Sequence, residues 1–197
     1  MSDLTNKLRS TLPQSPPAAS ADLERRRSAV ALIMRQGPTG DEIFLIQRAP
    51  HESDPWSGNI AFPGGKVEPG DQTPRQAAER ETREEVGIEL EHADYLGFLT
   101  EIVGAHLPVR VACYVFLLTG PAPPLTLSRE IADGFWVPLT LLLARENQVT
   151  APVTFAGKTH QVPAIKLPHA GKPVLWGITY RLLQHFFALF PEETCVN

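Results

Sequence analysis

Apolar and polar positions alternate with two periods along this chain. Ser28–Met34 and Glu42–Arg48 are apolar, β-branched-rich runs parted by Gly37, Pro38 and Gly40, which predicts a strand pair. Tyr95–Ile102 and Val109–Leu118 predict two more strands, the second long and nearly all apolar. Phe135–Val137 predicts a short strand, Leu139–Glu146 a short helix, and Val153–Phe155 with Lys158–Val162 a small hairpin around Ala156–Gly157. Two segments carry helical spacing. Val174–Leu189 places Leu175, Ile178, Leu182 and Phe186 on one stripe. Pro74–Val86 is the better signalled: Thr73 serves as N-cap, Pro74 fits the first position, Gln76 completes a capping box, and Gly87 stops the helix. Strands fill the middle and helices surround them, so the expected class is α+β, with a mixed sheet between helical layers.

The ends divide the chain. Ser2–Leu12 predicts an amphipathic helix with Leu4, Leu8 and Leu12 four apart, a stripe that offers a homodimer surface. Pro13–Ser20 holds three prolines and reads as a linker. The expected layout is a helix and Pro-rich linker over 1–22, one domain over 23–190, and a tail over 191–197. Ala49–Gly70 reads as loop, save the apolar piece Ile60–Phe62.

Composition narrows the class. A net charge of −4 argues against a dedicated nucleic-acid binder. No apolar run is long enough to span a bilayer, and the first residues lack a signal-peptide layout, so no membrane partner and a cytoplasmic location are expected. Cys113 and Cys195 make no disulfide framework; Cys113 reads as a small core residue.

Chemistry concentrates between Gly64 and Ile88. Glu81, Glu84 and Glu85 stand at i, i+3 and i+4, so three carboxylates share one helix face. Each like-charge pair costs about 0.2–0.5 kcal/mol on an exposed helix, more in a cleft. A solvated face laced with ion pairs, such as Arg80 with Glu84, is one answer. A bound hard cation is another, since Mg²⁺ and Mn²⁺ take carboxylate oxygens, water and substrate phosphate. Gly64 and Gly65 just upstream permit backbone torsions and a close approach that other residues forbid. Arg48 and Lys66 are candidates for substrate phosphate, or else solvated cations. Trp56 could stack on a base or anchor its loop, and the loop histidines His51 and His106 are weaker candidates.

The segment resembles the Nudix box, G-x5-E-x7-R-E-U-x-E-E-x-G-U. Arg80-Glu81-Thr82-Arg83-Glu84-Glu85-Val86-Gly87-Ile88 matches every fixed polar and glycine position of the second half, and Gly65 matches the first glycine. Thr82 stands where the pattern asks for an aliphatic residue. Asp71 lies six positions after Gly65, as the first acid should, but Arg80 then comes one residue late. That longer loop, Phe62-Pro63-Gly64-Gly65-Lys66 preceded by Gly58, Arg129-Glu130-Ile131-Ala132 followed by Phe135-Trp136-Val137-Pro138-Leu139, and Leu175-Trp176-Gly177-Ile178-Thr179 all resemble the coenzyme A pyrophosphatase branch. Asp54 departs from it, standing where that branch carries an arginine.

The resemblance implies a single-domain Nudix-like α/β/α sandwich and a metal-dependent hydrolase of small-molecule diphosphates. It implies Glu81 and Glu85 as principal ligands of Mg²⁺ or Mn²⁺, Glu84 as a further ligand or as holder of a metal-bound water, and the Gly65 carbonyl as an extra ligand. Glu81 or Glu130 would be general base, and Arg80 would orient Glu81 or Glu84. Coenzyme A or its acyl forms, ADP-ribose and dinucleotides all carry the same bond. The competing readings are a Nudix-fold binding module without turnover, which the three intact glutamates oppose, and an enzyme of capped RNA ends, which the acidic balance opposes.

Overall fold

The computed structural model describes residues 3–17, 26–51, 56–104, 109–155, 157–169 and 171–190. Asp54, His106, Cys195, the end of the Pro-rich stretch and the tail lie outside them. The elements are α1 (Asp3–Thr11), β1 (Arg26–Gly37), β2 (Gly40–Arg48), β3 (Ile60–Ala61), β4 (Gly64–Lys66), α2 (Pro74–Val86), β5 (Asp94–Val103), β6 (Val109–Leu118), β7 (Ile131–Pro138), α3 (Leu139–Leu143), β8 (Gln148–Phe155), β9 (Lys158–Ile165), β10 (Leu175–Trp176) and α4 (Gly177–Phe187).

The main sheet runs β3-β2-β1-β6-β5, with β4 pairing to β1 and β7 to β2. It is mixed, as expected. β1 and β6 are parallel, in a register that sets Val30 opposite Cys113, and the remaining pairs are antiparallel. A second sheet, β10-β9-β8, stands apart from it.

Both faces of the main sheet are covered, which explains the unbroken apolar runs of its inner strands. Ala29, Ala31, Ile33, Phe44, Ile46, Ala112, Tyr114 and Phe116 form one core with Ala77, Ala78 and Val86 of α2. The alternate residues Leu32, Met34, Ile43, Leu45, Cys113 and Val115 form the other, with α1, α3 and α4. This is the expected α/β/α layering. Small side chains line the α2 side of β1, so the helix can lie close to the sheet.

Several boundaries differ from the sequence expectation. β7 and both hairpin strands run longer than their apolar patterns, because ladder pairing with neighbours extends them. β4 has no strand propensity; Gly64–Lys66 is held in the sheet by pairing with Ser28–Val30. The predicted Leu139–Glu146 helix stops at Leu143 and continues as a 3₁₀ turn, Arg145–Asn147. The predicted Val174–Leu189 helix begins three residues late, because Leu175 and Trp176 pair with Ile165 and Ala164 first.

The leucine stripe of α1 is spent inside the chain. Leu4, Leu8 and Leu12 are 7%, 0% and 6% exposed and join the core beside β5, so they offer no surface to a second copy. The following prolines are strapped along β5: the Phe98 amide donates to the Pro13 carbonyl (2.7 Å) and the Tyr95 hydroxyl to the Gln14 carbonyl (3.0 Å). Among the described residues, no helix is long and apolar enough to cross a membrane.

Leu8→Ala is expected to cost ~2–5 kcal/mol in a denaturant titration. Sedimentation should show the oligomeric state unchanged; dissociation of an oligomer would mean that the stripe serves assembly.

Candidate active site

The site grows from the close approach of α2 to the glycine bend. Gly64 has φ +142, and a Cβ there would sit 2.3 Å from the Ala29 carbonyl oxygen of β1, so only glycine fits. At Gly65 a Cβ would meet the Glu81 carboxyl carbon at 2.4 Å. The missing side chains therefore admit the β1 backbone on one side and a carboxylate on the other. Glu85 is 5% exposed. The Gly64 amide donates to its Oε2 (2.8 Å), and Arg48 Nη1 lies 3.8 Å from its Oε1.

Arg80 organises the remaining charges. Its guanidinium donates to both carboxyl oxygens of Asp71 (3.1 Å each), to Glu81 (3.0 Å), to Glu84 (3.1 Å) and to the Lys66 carbonyl (3.0 Å). This bears directly on the box's longer loop. Asp71 turns back to grip Arg80 and also accepts from the Glu68 amide (2.7 Å), so the extra residue is absorbed in the turn. Hydrogen bonding from Arg80 holds the Asp71 carboxyl below its usual range.

Burial pushes the Glu81 carboxyl up, against the pull of Arg80. Burial also pushes Glu85 up to about 7; the Gly64 amide and Arg48 pull the other way, and Glu81 and Glu130 add repulsion. Among the described residues, no three acidic, histidine or cysteine side chains converge as a ready cation cage. The cause is visible: Glu81 and Glu84 both turn to Arg80, and Glu85 turns to the Gly64 amide.

Two sequence details resolve in the structure. Thr82 is fully buried, and its hydroxyl donates to the Ala78 carbonyl (2.7 Å), so the polar atom is satisfied within the helix. Thr73 caps α2 by accepting from the Gln76 amide (3.2 Å), but the Gln76 side chain accepts from the Gln72 amide (2.7 Å), one residue before the position a capping box uses.

The segment after β6 closes over the end of α2. Thr126 and Ser128 amides donate to the Val86 and Glu85 carbonyls (2.9 Å each), and Gly87, at φ +76, makes room for Thr126. The Ala49 amide donates to the Glu130 carbonyl (2.7 Å). Glu130 is thereby brought to a cavity that also holds Arg48, His51 and Arg129. Sequence reasoning did not single out Arg129, Thr126 or Ser128 as site residues; a serine and a threonine in a polar loop carry no spacing signal.

Arg48 borders a second cavity, of about 220 Å³, with Gly64, Gly65, Trp56, Trp176 and Thr179 around it. Trp56 packs against Phe155 (ring centroids 5.1 Å) and Trp176 (6.2 Å), so it both anchors its loop and presents a ring to this cavity. The Lys66 side chain is exposed and borders neither cavity; its backbone carbonyl takes part instead, through Arg80.

A raised carboxyl means that the folded state holds the proton more tightly than the unfolded state. Ionising Glu85 therefore costs folded stability as pH rises from about 4.5 to above 7, on the order of 3 kcal/mol. In chelator, Glu85→Gln is expected to melt several degrees above the native chain at pH 8, with the difference gone near pH 4. A variant less stable than the native chain at pH 8 would contradict this account.

Comparison with known proteins agrees with the geometry. The NUDIX domain model matches residues 24–156. An uncharacterised protein of Schizosaccharomyces pombe is 40% identical over 114 residues, covering 54% of this chain and 34% of that protein. A probable Nudix hydrolase of the same yeast is 27% identical over 183 residues, covering 93% of this chain and 61% of its own length. This chain thus spans between a third and about three-fifths of those two relatives. An uncharacterised Nudix hydrolase of Yersinia pestis is 28% identical over 191 residues, covering 94% of this chain and 92% of its own. A MutT/nudix family protein from Enterococcus faecalis shares the fold at 18% identity and TM-score 0.59, covering 89% of this chain and 64% of that one. The family model covers most of the chain, and two carboxylates of its helix, Glu81 and Glu85, stand at the glycine pair; the chain belongs to the NUDIX domain family.

Proposed function

We propose that the chain is a divalent-metal-dependent pyrophosphohydrolase that cuts the P–O–P bond of a nucleoside diphosphate linked to a second moiety. One observation carries this: Glu81 and Glu85, two acids of one helical turn, lie against the Gly64–Gly65 bend beside Arg48. The donor set fits Mg²⁺ or Mn²⁺. It is all hard oxygen, and the space at Gly65 that a Cβ would fill lies directly against the Glu81 carboxylate. Glu81, Glu84, Glu85 and the Gly65 carbonyl would hold the ion. When bound, such an ion neutralises diphosphate charge and lowers the pKa of water.

The chain's own groups divide the remaining work. Arg48, reaching both cavities, binds the diphosphate oxygens. Arg80 touches no substrate; it positions Glu81 and Glu84. Water attacks one phosphorus, the bond to the bridging oxygen breaks, and that oxygen leaves with the second phosphate. Glu130 takes the proton of the attacking water, favoured over Glu81 because Arg80 already occupies Glu81.

The finer reading is coenzyme A or its acyl forms as substrate. The longer loop, the Arg129–Ala132 segment and Leu175–Thr179 support it by resemblance, and the apolar walls beside Trp56 and Trp176 suit a non-nucleotide arm.

Two outcomes test the proposal. Turnover of a panel of nucleoside diphosphate derivatives, including coenzyme A, ADP-ribose and dinucleotides, should require Mg²⁺ or Mn²⁺. Glu85→Gln should lose more than about a hundredfold in activity and weaken metal binding measured by calorimetry. Absence of metal-dependent turnover on the whole panel would falsify the hydrolase reading, and mass spectrometry of products formed in ¹⁸O water names the phosphorus attacked. Glu130→Gln should lower kcat by roughly 10²–10⁴ and leave calorimetric metal affinity intact. Equal loss of both would reassign it as a ligand.

A further inference from the structure

We propose that the second sheet reads the far end of the substrate: an apolar cavity between its hairpin and α4 takes a hydrocarbon chain carried by the non-nucleotide half. This rests on the hydrolase reading above. The cavity, about 280 Å³, is walled by Trp56, Phe155, Val162, Pro163, Trp176 and Ile178. Trp56, Trp176 and Ile178 also face the 220 Å³ cavity that holds Arg48 and the glycine pair. The two spaces thus meet across shared side chains. Each alone is small for a ligand site, whereas joined they enter the ~300–1,000 Å³ range of small-molecule pockets.

The walls are built to stay put and stay dry. The Trp176 indole N–H donates to the Asn59 side-chain oxygen (3.2 Å), so its polar edge is satisfied and its ring face is left for apolar contact. Asn59 is itself fixed between the Trp56 carbonyl, to which its amide donates (3.1 Å), and the Arg48 amide, which donates to the Asn59 carbonyl (3.0 Å). A run of three hydrogen bonds therefore sets the aromatic cage at a fixed distance from the phosphate-binding arginine. Phe155 closes the far side, 5.1 Å from Trp56 and 6.1 Å from Trp176 between ring centroids. The cavity's guanidinium, Arg181, is turned to the Val103 carbonyl (2.9 Å). Walls of this kind reward hydrocarbon, because among the described lining side chains only Arg181 carries a charge and the rest are mostly aromatic or aliphatic.

The test uses straight-chain alkyl esters of adenosine diphosphate, from methyl to dodecyl, on the whole chain with Mg²⁺. The value of kcat/KM should rise about three- to fourfold per methylene until the cavity is full, and then level off. Val162→Trp should bring the plateau to shorter chains and leave methyl-ester turnover unchanged, whereas Phe155→Ala should move it to longer chains. Independently of turnover, the decyl ester added to metal-free protein should shift tryptophan fluorescence to the blue and saturate, and the methyl ester should not. A flat series, or a plateau that neither variant moves, overturns the subsite. Failure of every ester to turn over counts against the hydrolase reading, and the fluorescence titration then still decides the subsite.

Discussion

Like charges on one turn of a helix repel, and the guanidinium of Arg80 is what keeps two of the three carboxylates of α2 in place. It does so only because Asp71 grips it from the far side and the Lys66 carbonyl completes its shell. The arrangement is a positive centre with acids on three sides, so each acid is held by attraction to Arg80 and kept from its neighbours. Glu85 is outside this group. It is buried against a backbone amide, where desolvation works against its charge. The site therefore stores electrostatic cost at Glu85 that a hard cation would relieve, which is the physical link between the fold and the proposed chemistry.

The sheet separates two tasks. One face carries α2, whose alanines let it approach β1 closely enough for the carboxylates to reach the glycine bend. The other face, under α4, carries the cavity lined by Trp56, Trp176 and Thr179. β1 is the shared wall: its Val30 faces the cavity side, its Ala29 and Ala31 face the helix, and its backbone pairs with Gly64 and Gly65. Arg48, at the end of β2, is the side chain that borders both the cavity holding Glu130 and the one holding the aromatic walls.

Much of the helix and its chemistry was legible from local spacing. The glutamate face, the Thr73 cap and the Gly87 stop follow from the geometry of a single segment, where contacts lie within a few residues. Other features were misread or unseen for one reason, that their partners are far away in sequence. The α1 leucines look like an assembly stripe until β5 is seen to cover them. β4 has no strand character of its own. Trp176 looks like part of a helix until its pairing with Ala164 and its bond to Asn59 are known.

The sequence alone determined the family, the α+β class and the three acids, because these rest on short periods and fixed spacings that the backbone itself imposes. Tertiary structure alone decided that Asp71 serves Arg80, that Glu130 arrives beside Arg48, and that Trp56, Phe155 and Trp176 wall one cavity. Those juxtapositions join segments tens of residues apart, and their register is set by strand pairing and by burial on two faces of a sheet, neither of which leaves a mark in local composition.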